Sequence, residues 1–353
     1  METSNLRVCM ISAELAPWAK VGGLGDVMAS LPGALRKCGV DVTLVMPRYL
    51  SVQNRLGPER ALHRFPLQMR WGSAGSYDLR IFEARHPDGF CVLLVDCPPL
   101  FERAGIYQAP GAPRAYADSL VRWTALCRGA LFGALLLGGE WDILHAHDMH
   151  AALTLCLVES EYGQTPLAAA RRVLSIHNLA YQGIFPLESL VDMGTFAVGE
   201  SIPALSPFEY YGSLNLMKVG LSYADGIHTV SPTYAYEIVE DEEKGLGLQG
   251  MLWSRRHRVM GILNGIDVDV WDPQVQEALV AHYDANNLHG KLKCREALQV
   301  ELGWEEDDTR PMFGMVTRLT QQKGIELVLG VIPKLQEMGA RLVVLGTGEK
   351  RFV

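Results

Sequence analysis

Apolar positions along this chain switch between two spacings, and the switch recurs. Residues 6–12 run into a continuous apolar stretch and a glycine-rich turn follows. LGDVMASLPGALRKCG then repeats its apolar residues every three or four positions, before VDVTLVMP returns to a strand-like run. Parallel strands in one sheet need a crossover between them, so this opening predicts a β-loop-α-β unit.

The rhythm continues. FCVLLVDCPP reads as strand, AYADSLVRWTALCRGALFGALLL as helix, DILHAHD as strand, AALTLCLVESEY as helix and RRVLSIHN as strand. FEYYGSLNLMKVGLSYA then predicts a helix and GIHTVS a strand. Strands rich in Val, Ile and Leu imply burial on both faces, so the pattern predicts an α/β fold with a doubly wound, Rossmann-like sheet. One stretch breaks the rhythm: RFPLQMRWG and YDLRIFEA alternate like antiparallel strands joined by a turn, a β-hairpin insertion near 60–95.

Past GLGLQGMLWSRRHRV the chain crosses MGILNGIDVDVWDP, rich in turn residues, and a polar helical stretch. It then begins afresh with RPMFGMVTRL, GIELVLGVIPKLQEMG and ARLVVLGTGE as strand, helix and strand. Two doubly wound domains are expected, at 1–258 and 259–353. The sequence stops at Phe352 and Val353, where a next helix would begin, so the second domain reads as incomplete.

A chain of 353 residues, 48% of them hydrophobic, supplies enough apolar surface for two cores. Its net charge of -8 argues against a broad nucleic-acid or membrane surface, either of which calls for a positive field. A small anion needs only a few local donors, which bulk charge does not report. Seven scattered cysteines with no paired spacing suit a reducing cytoplasm. The first residues carry no signal-peptide pattern, and GALFGALLLGG is too short and glycine-broken for a membrane span, so a soluble, cytoplasmic protein is expected.

Candidate chemistry collects where strands end. KVGGLGD at 20–26 lies between the first strand and the first helix, where open α/β sheets place ligands. Gly22 and Gly23 let backbone N–H groups approach a diphosphate, the helix start adds its dipole, and Lys20 adds a cation. Glycines at such a turn also serve tight packing, and the order matches neither a P-loop nor a dinucleotide fingerprint.

HAHDMH at 145–150 enters a helix at the same end of the sheet. Alternating strand residues face opposite ways and no further ligand set follows, so no metal is expected. His177 also ends a strand, a place where a lone histidine is ordinarily a core side chain. Arg318 and Lys323 follow the first strand of the second domain. They read either as neutralisers of a leaving diphosphate or as two solvated cations. Asn264 sits in a turn near the hinge, where Asn is common for conformational reasons alone.

KVGGLGDV resembles the donor-loop signature of bacterial-type glycogen (starch) synthases. HAHDMHAALT, SIHNLAYQG, GLSYADGIHTVSPTYAYEI, GLGLQGML, GILNGIDVDVWDP and MVTRLTQQKG follow in the order that family has them. The resemblance implies a two-domain GT-B glycosyltransferase that needs no cofactor. It would move glucose, with retention, from ADP-glucose to the non-reducing end of an α-1,4-glucan in glycogen biosynthesis.

It further implies that Asp148 lies by the reacting glucose and acceptor, and that His177 contacts the donor sugar. By the same resemblance Lys20, Gly22, Gly23, Arg318 and Lys323 serve the donor diphosphate, Asn264 faces the cleft, and Gly346, Thr347 and Gly348 form a nucleotide-edge loop. Met149 stands where the family often has Trp, which removes a stacking surface. Two alternatives stay open: a chain that binds glucan or donor weakly without turnover, and a related enzyme that uses UDP-glucose.

Overall fold

Strands β1 (Arg7–Ile11) and β2 (Asp41–Pro47) run parallel with Val8 opposite Val42, joined by helix α1 (Gly23–Lys37). Asp26 in the first turn of α1 and Arg36 and Lys37 in its last complement the helix dipole. In this computed structural model, residues 6–55, 59–63, 66–71, 75–193, 206–307 and 309–352 are described. They form two compact units, Met1–Gly265 and Ile266–Val353. The division falls at 265, where the sequence pattern suggested 258.

The remaining strands of the first unit are β3 (Arg60–Ala61), β4 (Leu67–Trp71), β5 (Gly75–Arg85), β6 (Cys91–Asp96), β7 (Ile143–His147), β8 (Arg171–Ile176), β9 (Ile184–Pro186), β10 (Glu209–Tyr210), β11 (Ser213–Asn215), β12 (Gly226–Thr229) and β13 (Val259–Gly261). Its longer helices are α2 (Ser119–Leu136), α3 (Asp148–Ser160), α4 (Leu216–Tyr223) and α5 (Pro232–Glu240). The main sheet has the order β13-β12-β8-β7-β1-β2-β6-β5-β3, and β4 pairs with β5. From β13 to β6 every pairing is parallel. The chain moves outward from β1 in both directions, so β1 and β7 flank the crevice at which such sheets take ligands.

The stretch that breaks the rhythm forms antiparallel strands. Leu67 faces Leu79 across β4 and β5, and β5 pairs onward with β6, so the segment extends the main sheet at one edge. Residues 64–65 and the turn at 72–74 lie outside the described residues, as do residues 1–5 of the start.

Two expectations are corrected. FEYYGSLNLMKVGLSYA is not one helix: β10 and β11 form a hairpin before α4 begins at Leu216. Tyr211 and Gly212 at its tip are both left-handed, at φ 48° and 80°, which a continuing helix cannot accommodate. The apolar stretch taken as too short to span a membrane belongs to α2, which at 18 residues and a mean hydropathy of 1.2 is long and apolar enough. That helix is 72% buried and packs on α3, β5 and β6, as a core helix does. Cys9, Cys97 and Cys127 belong to the core, where burial pushes each thiol up to about 12 and leaves it unreactive.

The second unit holds α6 (His289–Glu301), β14 (Met312–Val316), α7 (Ile325–Glu337) and β15 (Arg341–Leu345). The two strands are parallel, with Met312 opposite Arg341. This is one β-α-β unit.

Candidate active site

β1 leads into a loop whose one buried carboxylate organises the glycine turn. Glu14 is 3% exposed. Its Oε2 accepts the N–H groups of Val21 at 2.7 Å and Gly22 at 3.0 Å, and its Oε1 accepts the Tyr107 hydroxyl at 2.5 Å. The Gly22 N–H that the sequence offered to a diphosphate therefore points inward. Gly23 opens α1 and is exposed, with open space beside its Cα. Lys20 pairs with Asp26 at 2.7 Å, both about half exposed, an ion pair weak enough to yield to a ligand.

Asp148 follows β7 and starts α3 with φ at 57°, one of the few non-glycine residues held left-handed. Such a backbone costs about 1 kcal/mol and tends to mark functional sites. Its Oδ1 accepts the N–H of His177 at 2.8 Å and that of Asn178 at 3.4 Å. Burial raises the Asp148 carboxyl to about 7, against the pull of those two N–H groups and with a push from the Glu14 charge. β7 is paired to β1 on one side and β8 on the other, so Glu14, Asp148 and His177 all issue from neighbouring strand ends.

The histidines share one face of β7 and meet those of its neighbours. His145 and His147, two residues apart, have ring centroids 4.1 Å apart, so alternation brings them together rather than separating them. His147 Nδ1 lies 3.0 Å from His177 Nε2. Ser175 Oγ lies 2.7 Å from His145 Nε2 and 2.8 Å from His228 Nδ1. Burial lowers His145 to about 3 and His177 to about 4, and takes His147 well below the ordinary range. These are neutral rings. Among the described residues no group of three or more His, Cys, Asp or Glu is arranged to hold a metal ion.

His150 stacks on Tyr107 at 5.0 Å and meets Trp123 edge-on at 4.7 Å. The Tyr107 hydroxyl thus carries the network from His150 back to Glu14. Met149 packs against Gly183, where an added Cβ would come within 2.9 Å of its sulfur. Sequence reasoning missed Glu14 and Tyr107. The available signal for Glu14 was a lone carboxylate inside the apolar run ISAELAPW; none marked Tyr107.

Asn264, at the end of the first unit, is exposed. In the second unit Arg318 and Lys323 follow β14 and are exposed, and among the described residues no hydrogen bond or ion pair engages either side chain. Leu319 N–H donates to the Thr347 carbonyl at 2.8 Å, and Leu319 bridges Gly348. The Arg318 loop and the 346–348 loop therefore lie side by side at the carboxyl ends of β14 and β15.

The starch synthase catalytic domain model matches residues 7–254. The chain is 40% identical over 360 residues to the glycogen synthase of Aromatoleum aromaticum, covering 99% of this chain and 69% of that relative. It is 36% identical over 349 residues to the glycogen synthase of Francisella philomiragia, covering 98% and 70%. Among solved structures, the catalytic domain of Starch Synthase IV from Arabidopsis thaliana, bound to ADP and acarbose, is similar with a TM-score of 0.86 and 32% identity. That match covers 99% of this chain and 70% of the other. The chain belongs to the starch synthase catalytic domain family and is a glycosyltransferase of GT-B-type fold.

Proposed function

We propose that the protein transfers glucose, with retention, from ADP-glucose to the non-reducing end of an α-1,4-glucan, as a cytoplasmic glycogen synthase. The observation that carries this reading is the Asp148–His177 hydrogen bond, set beside the Glu14-anchored glycine loop on adjoining strand ends. The ADP held by the Arabidopsis structure favours the adenine donor.

The donor's glycosyl–phosphate bond already carries the activation, so the protein's task is to stabilise a departing diphosphate and an oxocarbenium-like sugar. His177 is held neutral, which makes it a hydrogen-bond partner and leaves charge neutralisation to Lys20, Arg318 and Lys323. Gly23 at the start of α1 would offer the remaining backbone donor in the glycine loop. Asn264 and Gly346, Thr347 and Gly348 would border the donor.

Both buried carboxylates near the loop are already engaged, Glu14 by three donors and Asp148 by two N–H groups. Neither is placed as a nucleophile in the manner of a retaining glycosidase. This supports a same-face displacement: the acceptor hydroxyl bonds to the anomeric carbon as the carbon–phosphate oxygen bond breaks. Its proton passes to a phosphate oxygen of the leaving ADP. Initial rates on glycogen with ADP-glucose and with UDP-glucose test the donor. Faster transfer from ADP-glucose is expected, and a preference for UDP-glucose overturns that assignment.

A further inference from the structure

We infer that His147 is a positioning residue that fixes the proton of His177 on Nδ1, so that this ring presents an N–H donor rather than a bare nitrogen to its free side. The inference rests on the proposed role of His177 only for its catalytic consequence; the proton's place follows from geometry.

His147 Nδ1 and His177 Nε2 face each other at 3.0 Å, a separation that holds one proton between them. The two rings therefore cannot both be protonated on the facing atoms. His147 is 1% exposed, and its other nitrogen, Nε2, is buried with no hydrogen-bond partner among the described residues. That orphan decides between the two arrangements. If His177 donated, His147 would have to carry its own proton on Nε2 and strand an N–H in the core. If His147 donates from Nδ1, only a lone pair is left bare. Stranded N–H groups are the rarer and costlier of the two. His147 thus donates to His177 Nε2, and neutral His177 keeps its proton on Nδ1.

Surrounding groups hold His147 in this role. His145 packs on it with ring centroids 4.1 Å apart, and His145 is itself tied through the Ser175 hydroxyl to His228. A hydroxyl has one proton, so it donates to one of those rings at most, and burial, which lowers His145 to about 3 and His228 below its ordinary value, keeps that pair neutral as well. With no cation in the row, nothing pulls the shared proton away from its place between His147 and His177. An Nδ1–H donor suits an oxygen of the donor sugar or its phosphate.

The test is the side-chain ¹⁵N spectrum of the protein labelled at histidine, with the His177 signals identified by their loss in His177→Gln. The expected result is a pyrrole-type shift for His177 Nδ1 and a pyridine-type shift for Nε2. The reverse pattern, or rapid averaging of the two, overturns the inference on wild-type protein alone. His147→Phe should release Nε2 and shift the proton toward it, whereas His147→Asn, whose amide N–H stands in for Nδ1–H, should restore the native pattern. In glucosyl transfer the Phe variant should lose kcat by about tenfold with little change in KM, the loss of one oriented hydrogen bond, and Asn should recover it. A merely structural role would leave the tautomer unmoved. Failure of glucosyl transfer with the tautomer as expected would count against the proposed function and not against this inference.

Discussion

The Asp148 carboxylate accepts the backbone N–H of His177 at 2.8 Å, and so ties the end of β7 to the end of β8. The bond joins two residues 29 apart in sequence into one unit. Burial sets how each responds to pH: it raises the Asp148 carboxyl against the pull of this bond, and it lowers the His177 ring.

Burial raises Asp148 to about 7, so the carboxylate is half formed near neutrality. Where ionised Asp148 is the working form, kcat/KM rises between about pH 6 and pH 8, since that profile reports the free enzyme. Asp148→Asn keeps an oxygen for the His177 N–H and should flatten this limb. A profile unchanged in Asp148→Asn contradicts the assignment.

The buried histidines make stability rise with pH as well. His145, His150 and His177 stand at about 3, 3 and 4, below the unfolded value near 6.5, as does His147 by direction. Their contribution is present above about pH 6.5 and is lost as pH falls toward those values. Asp148, raised in the fold, contributes in the other sense: its share is full below about pH 3.9 and is lost as pH rises through about 7. Four rings outweigh one carboxyl. Urea midpoints should be lower at pH 5 than at pH 7.5, and equal midpoints would show that the rings are not buried neutral.

Two helix glycines should respond oppositely to alanine. At Gly220 in α4 an added Cβ would stand 2.7 Å from Ala152 Cβ and 3.1 Å from Leu174 Cδ2, so α4 would have to back away from α3. Gly220→Ala should cost about 1–3 kcal/mol. At Gly330 in α7 no described residue lies within 4 Å of an added Cβ, and Gly330→Ala should stabilise by about 0.5–1 kcal/mol through helix propensity. Unfolding curves followed for each variant check both signs.

Arg318 is exposed and unengaged among the described residues, so its removal should leave the fold intact. If it meets the leaving diphosphate, Arg318→Ala loses about 100-fold or more in kcat. Arg318→Lys should recover part of that, since a point charge replaces the bidentate fork. Near-full transfer by the alanine variant would remove Arg318 from the site.

Much of the fold was legible because it rests on local periodicity. The strand that became β1, the helix α1 and the strand β2 are marked by apolar spacing alone. The hairpin at β10 and β11 was not, because EYYGSLN carries apolar and polar residues that fit either period and the deciding feature is a left-handed Tyr211. Asp148 and His177 were visible as polar residues at strand ends. Their hydrogen bond was not, nor was the Tyr107 hydroxyl on Glu14, which bridges 93 positions that only the folded sheet brings together. The inward-facing Gly22 N–H was hidden for the same reason: its partner is a buried side chain, and a glycine motif does not say which way its amide points.

Transfer of labelled glucose from ADP-glucose to glycogen, by the wild-type protein and by Asp148→Asn, tests the proposed site most directly. Incorporation above a heat-killed control that drops by about 100-fold or more in the variant is the predicted result. No incorporation by the wild-type protein, or equal incorporation by both, would contradict it.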